Sequence, residues 1–181
     1  MYVACINPYT IWWQMRRGAM KRFLEQVRGY VLSAMKTKGP VQAWIVDDTG
    51  FLKKGTHSVG VARQYCGQVG KQDNCRVAVS LSVSTNTASL PIAFRLYLPE
   101  VWANDAERRK QAGVPDQIRF QTKPQIALEQ IRQAVKDEVT RGPILADAGY
   151  GFDSQFRAGV TELGLSYVVG VQSSTLSLIH I

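Results

Sequence analysis

Residues 41–48 read VQAWIVDD and residues 142–147 read GPILAD. Both are short apolar runs of strand-forming residues, each entered through a Gly-Pro pair and each followed by aspartate. A run of this length between breakers has the pattern of a strand buried on both faces. An aspartate closing such a strand loses hydration unless a cation or hydrogen-bond donors sit beside it. One reading makes Asp47, Asp48 and Asp147 ordinary turn formers or helix N-caps, since Asp before Thr-Gly or Ala-Gly is common there. The other makes the two strands neighbours in one sheet, so that their carboxylates converge and their mutual repulsion is relieved by a divalent cation. Hard oxygen ligands favour Mg²⁺ or Mn²⁺ over zinc. A two-metal site with ions ~3.5–4 Å apart would activate a water and stabilise a leaving oxygen in phosphodiester chemistry. The local pattern leaves both readings open.

Outward from these strands, residues 19–36 place Met20, Phe23, Leu24, Val27, Val31 and Met35 at helical spacing, which predicts an amphipathic helix ending before Gly39-Pro40. Glycines 55, 60, 67 and 70 mark hairpins and exposed turns after the first strand. Residues 75–84 and 90–98 read as two further strands of an antiparallel meander. Residues 100–121 read as an ordered loop with a short helical piece. Residues 122–139 form a helix with Thr122 as N-cap and Pro124 in its first turn. A short helix over 152–164 and a last strand over 165–172 complete the chain. The fold class is therefore α/β, a mixed sheet flanked by helices. The architecture with this order of elements is ribonuclease H-like, in which the first and fourth strands run parallel side by side; here these are the strands carrying Asp47 and Asp147.

Composition narrows the classes. The 181 residues are 45% hydrophobic and 20% charged, which excludes general disorder, and no run of 18 apolar residues predicts a membrane span. Three cysteines, Cys5, Cys66 and Cys75, suit free thiols better than a disulfide framework, and two histidines do not suggest zinc. The opening residues lack the order of a secretory signal, so a cytoplasmic, nucleoid-associated location is expected. The net charge is +8. Residues 1–39 carry seven basic groups and one acidic group, whereas residues 143–181 carry one basic and three acidic. A basic front end suits contact with a polyanion.

The stretch WIVDDTGFLKKGTHSVGVARQYCGQVGKQDNCRVAVSLSVS resembles bacterial insertion-sequence transposases of the DDE superfamily. So do LPIAFRLYLPEVWANDAERRKQAGVP, FQTKPQIALEQI, ILADAGYG and YVVGVQSST, in that order, from about Gly39 to Thr175. The resemblance implies a ribonuclease H-like core that cuts and joins DNA at the ends of a mobile element with an Asp-Asp-Glu triad and Mg²⁺. Asp47 or Asp48 matches the first acid, with Asp-x-Thr pointing to Asp47, and Asp147 matches the second. The third departs: the pattern Tyr-x-x-Arg-x-x-x-Glu-x-x-x-x-x-x-Lys is absent, and Glu162 is the only glutamate after Asp147. On this reading residues 1–38 are a basic helical segment, 39–175 a catalytic core incomplete at its C-terminus, and 176–181 a tail unlike the family. Its partners would be terminal inverted repeats and target DNA, and a second copy of the chain where it works as a homo-oligomer.

Lys53, Lys54, Arg63 and Lys71 are candidate phosphate contacts; a solvated hairpin is the plainer account. His57 reads as a solvated or hydrogen-bonded side chain. Trp44 reads as core, while Trp12, Trp13 and Trp102 are open between core and base stacking. Lys123 and the run Arg108-Arg109-Lys110 would suit a DNA-facing surface beyond the sheet, but a charge run is more often only a solvated face, and they stay outside the candidate site. Two competing functions stand beside the transposase: a non-catalytic DNA-binding remnant, and a haloacid-dehalogenase-like phosphatase. The second needs Asp-x-Asp where Asp47 and Asp48 are adjacent, and a helix directly after the first strand.

Overall fold

A computed structural model describes residues 19–171. Cys5, Trp12, Trp13 and the tail from residue 172 lie outside the described residues. The elements run α1 (Ala19–Lys36), β1 (Ala43–Leu52), β2 (Ala62–Cys66), a 3₁₀ turn (Gly67–Val69), β3 (Lys71–Ser84), β4 (Ser89–Leu96), α2 (Glu100–Ala103), α3 (Ala106–Gln111), α4 (Lys123–Lys136), β5 (Ile144–Ala146), α5 (Ala148–Gly151), α6 (Ser154–Glu162) and β6 (Tyr167–Val169). The six strands make one sheet in the order β2-β3-β1-β5-β6, with β4 also paired to β3. β1 and β5 are parallel, as are β5 and β6, whereas β2 and β3 are antiparallel. This is the mixed sheet flanked by helices expected of a ribonuclease H-like fold.

Two differences from the sequence reading stand out. The first strand does not stop at its aspartates but continues to Leu52, so Asp47 and Asp48 lie within a strand rather than in a turn. Pairing with β3 overrides the local turn preference of Asp-Thr-Gly: Gln42 N–H donates to the Ser84 carbonyl at one end of the pair and Lys53 N–H to the Asn74 carbonyl at the other, both near 3 Å (2.7 and 2.9). The second difference is an added strand, β2, which the glycine-rich segment concealed.

The chain divides into two compact units. One comprises Met1–Gly29, Thr49–Ala78 and Leu96–Gln121. Its core gathers Val59, Val61, Leu98, Trp102 and Val114, with a second cluster of Cys66, Cys75 and Val77. Trp102 is fully buried, and its indole N–H donates to the Val61 carbonyl at 2.7 Å, so it is a core residue. Cys66 and Cys75 are thiols, as expected, and both are buried.

The other unit comprises Tyr30–Asp48, Val79–Arg95 and Thr122–Ile181. Trp44 is buried completely and donates to the Thr140 carbonyl. α4 begins with a full capping box, Thr122 accepting from Gln125 N–H while the Gln125 side chain accepts from Thr122 N–H. It buries Ile126, Ala127, Leu128, Gln130, Ile131 and Ala134 at the spacing seen in the sequence. α6 packs Gly159 against the Leu128 side chain, where a β-carbon would not fit.

The tightest packing follows β5. A β-carbon at Gly151 would collide with the Gly170 carbonyl oxygen, and one at Gly170 would lie 2.7 Å from Ala148 N. Both obstacles are backbone and cannot swing aside. Gly151→Ala is therefore expected to cost at least about 1–3 kcal/mol, read as a lower urea midpoint. Gly29→Ala, in mid-helix with open space around it, is expected to leave stability unchanged or raise it by up to ~1 kcal/mol.

Candidate functional site

The pairing of β1 with β5 sets Trp44 opposite Ile144, Ile45 opposite Leu145 and Val46 opposite Ala146. The residue after this last pair is aspartate in both segments: Asp47 continues β1, and Asp147 lies just past the end of β5. Alternation along β1 puts Asp47 on the face of Ile45. Both aspartates are exposed. Asp147 keeps an extended backbone (φ −75°, ψ −179°) and caps α5: its Oδ1 accepts from Gly149 N–H at 2.9 Å and Tyr150 N–H at 3.3 Å. Asp47 Oδ1 accepts from Asp48 N–H at 2.7 Å. The helix-cap reading thus holds for Asp147, and the turn reading fails for Asp47 and Asp48.

Asp48 points to the opposite face, the side of Trp44 and Val46. There Lys123, in the first turn of α4, sets its ammonium 2.9 Å from Asp48 Oδ2. The Tyr150 hydroxyl donates to the same oxygen at 3.4 Å. Tyr150 is buried and stacks in a tilted arrangement on Phe156, their centroids 5.9 Å apart. Burial, then the charges of Asp48, Asp147 and Asp47, and finally the hydrogen bond to Asp48, push its phenol well above the ordinary tyrosine range. It therefore stays protonated and acts as a donor. The same three charges place all three carboxylates within electrostatic reach of one hydroxyl. α6 braces this turn, because Arg157 donates to the Gly151 carbonyl.

The donor set suits a divalent cation in kind, since carboxylate oxygens on an exposed sheet face match Mg²⁺ or Mn²⁺. In number the set is a pair: among the described residues no three His, Cys, Asp or Glu side chains gather into a metal-holding group. Asp47 and Asp147 fit; Asp48 is engaged by Lys123.

The basic candidates belong to the other unit. Asn74 on β3 is opposite Arg63 on β2. It is also bonded to Lys53 in both directions: Lys53 N–H donates to the Asn74 carbonyl, and the Asn74 side-chain amide donates to the Lys53 carbonyl at 2.7 Å. Lys53 and Arg63 therefore flank one residue of β3 across three adjacent chain segments. Lys54, Arg63 and Lys71 are exposed and Lys53 is half-buried. Lys71 makes a loose pair with Asp73, 3.9 Å apart. His57 is exposed. Arg108 and Arg109 are not a solvated face. Arg108 lies 3.7 Å over the Trp102 ring and donates to the Thr56 carbonyl; Arg109 donates to the carbonyls of Ala103, Pro115, Asp116 and Ile118.

Sequence reasoning used Tyr150 only as part of the block that resembles the family, without giving it a role, and set Lys123 aside. Tyr150 had a signal, its place three residues after Asp147 in the turn that Asp147 caps. Lys123 had none, being 75 positions from Asp48.

Comparison with known proteins points the same way. Residues 14–179 match the family described as DDE superfamily endonuclease. A curated protein of Microchaete diplosiphon, "Probable transposase for insertion sequence element IS701", is 34% identical over 138 residues, covering 76% of this chain. The match takes in 33% of that protein, so the chain spans about a third of the length of this relative.

The cap made by Asp147 separates its structural role from its charge. Asp147→Ala is expected to cost about 0.5–2 kcal/mol, measured by urea denaturation, while Asp147→Asn keeps an acceptor for the cap and most of that stability. Equal losses in the two variants would show that the charge, not the cap, stabilises the turn.

Proposed function

Because this chain belongs to the DDE superfamily endonuclease family, we propose that it carries the catalytic core of an insertion-sequence transposase, cutting and joining DNA at the element's ends with Mg²⁺ or Mn²⁺. The observation that supports this reading is the parallel pairing of β1 with β5, whose last pair, Val46 opposite Ala146, is followed by aspartate in both segments. On this reading residues 39–175 form the core, and residues 1–38 add a basic segment. Asp47 and Asp147 hold the cation, with Asp48 as the alternative first acid; bound there, the ions supply an activated water and stabilisation of the leaving oxygen. Tyr150, kept neutral, donates a hydrogen bond without adding charge beside the carboxylates. Lys53, Lys54, Arg63 and Lys71 bind phosphates of the terminal repeats or of target DNA. Strand transfer in such a system joins two ends, which favours a homo-oligomer working on nucleoid DNA.

On the remnant reading the chain binds DNA without cutting it; Glu162, at the end of α6, is exposed. The phosphatase reading needs a helix directly after β1, where the chain runs instead into β2 and β3.

Manganese titration followed by electron paramagnetic resonance tests the acid pair. Asp47→Asn and Asp147→Asn are each expected to weaken binding by at least about tenfold, a reduction that even an outer-sphere partner can cause. Unchanged affinity in both would overturn the site, and metal-dependent nicking of plasmid DNA that disappears in Asp147→Asn separates the enzyme from the remnant. For the basic residues, each of Lys54→Ala, Arg63→Ala and Lys71→Ala is expected to lower the slope of log affinity against log salt by about 0.9, the share of one neutralised phosphate. An unaltered slope removes that residue from the DNA-binding set.

A further inference from the structure

We propose that Lys123 is a positioning residue: it holds the Asp48 carboxylate on the far face of β1 as a charge-compensated strut, which leaves Asp47 and Asp147 as the cation ligands. This rests on the reading of the acid pair as a metal site. Three observations carry it. Alternation along β1 turns Asp48 away from Asp47, toward the face of Trp44 and Val46. On that face the Lys123 ammonium contacts Asp48 Oδ2 at 2.9 Å, and the Tyr150 hydroxyl reaches the same oxygen. Lys123 is itself set in place by the capping box at Thr122 and Gln125, which fixes the first turn of α4, and both partners are about one-quarter to one-third exposed (26% and 30%).

The electrostatic consequence is specific. Three aspartates within reach of one hydroxyl would carry three negative charges; Lys123 cancels one at its source. The site then presents the charge of two carboxylates. Removing only Lys123 exposes the third charge and strengthens attraction for a cation. Removing only Asp48 leaves an unmatched ammonium and weakens it. Removing both restores the original balance, because neither residue is a ligand.

The test is a double-substitution cycle on the full chain, with Mn²⁺ alone as the probe and paramagnetic resonance as the readout. Asp48→Asn is expected to weaken Mn²⁺ binding by roughly fivefold and Lys123→Met to strengthen it by roughly fivefold, with screening holding both effects near this size. The double variant is expected to return to within about twofold of the unsubstituted chain. Lys123→Arg, which keeps the charge, is expected to bind as the unsubstituted chain does, and circular dichroism confirms that each variant folds. The inference is overturned if Asp48→Asn loses as much affinity as Asp147→Asn and Lys123→Met does not rescue it, for then Asp48 is a ligand. A different failure, no loss of affinity in either Asp47→Asn or Asp147→Asn, overturns the metal reading itself and the inference with it.

Discussion

The parallel pairing of β1 with β5 is the constraint from which the site follows. Two strands far apart in sequence lie side by side with Val46 opposite Ala146, and the step after that pair is aspartate on both. A slip of one residue would send one of the two carboxylates to the opposite face. The register is held by what precedes it: Trp44 and Ile144 are both fully buried at the same level of the sheet, and the Trp44 indole is tied to Thr140 just ahead of β5. The apolar part of each strand therefore sets where its charged end falls. Burial does the aiming, and the acids take the position it assigns.

That placement creates an electrostatic problem, which the surrounding residues divide among themselves. Asp147 is met by backbone N–H groups at the start of α5, Asp47 by the N–H of its neighbour, and Asp48 by an ammonium from α4. Each carboxylate has a separate remedy on a separate element. The buried Tyr150 hydroxyl is the point where the three fields meet, and its raised pKa reports their sum together with its burial. The turn around it is stiff because Gly151 and Gly170 meet backbone to backbone.

Much of this was legible in the sequence, and the parts that were not have identifiable reasons. The two apolar runs and the capped helix read over 122–139 came from local patterns that tertiary structure did not contradict, and the pairing of the strands that precede Asp47 and Asp147 came from the architecture their order implies. The extension of β1 through Asp-Asp-Thr-Gly was hidden because local turn preference and cross-strand pairing disagree there, and pairing with β3 prevails. β2 was hidden by the glycines around it. Arg108 and Arg109 looked like a solvated run; one lies on a tryptophan and the other collects four carbonyls, contacts that no local pattern encodes. Lys123 shows the same limit at the site itself, since an ion pair spanning 75 positions leaves no periodic trace.

The backbone bonds to Asp47 and Asp147 have a consequence for how such a site would grip anything. In each carboxylate Oδ1 is already occupied by main-chain N–H donors, so rotation about the terminal bond is arrested before any guest arrives. What each side chain keeps wholly unengaged by these bonds is its second oxygen. As a cation site, the pair would behave as two restrained jaws rather than two swivelling forks. Little rotational freedom would then remain to be lost on closing, and selectivity would rest on the span that the backbone sets between the two side chains.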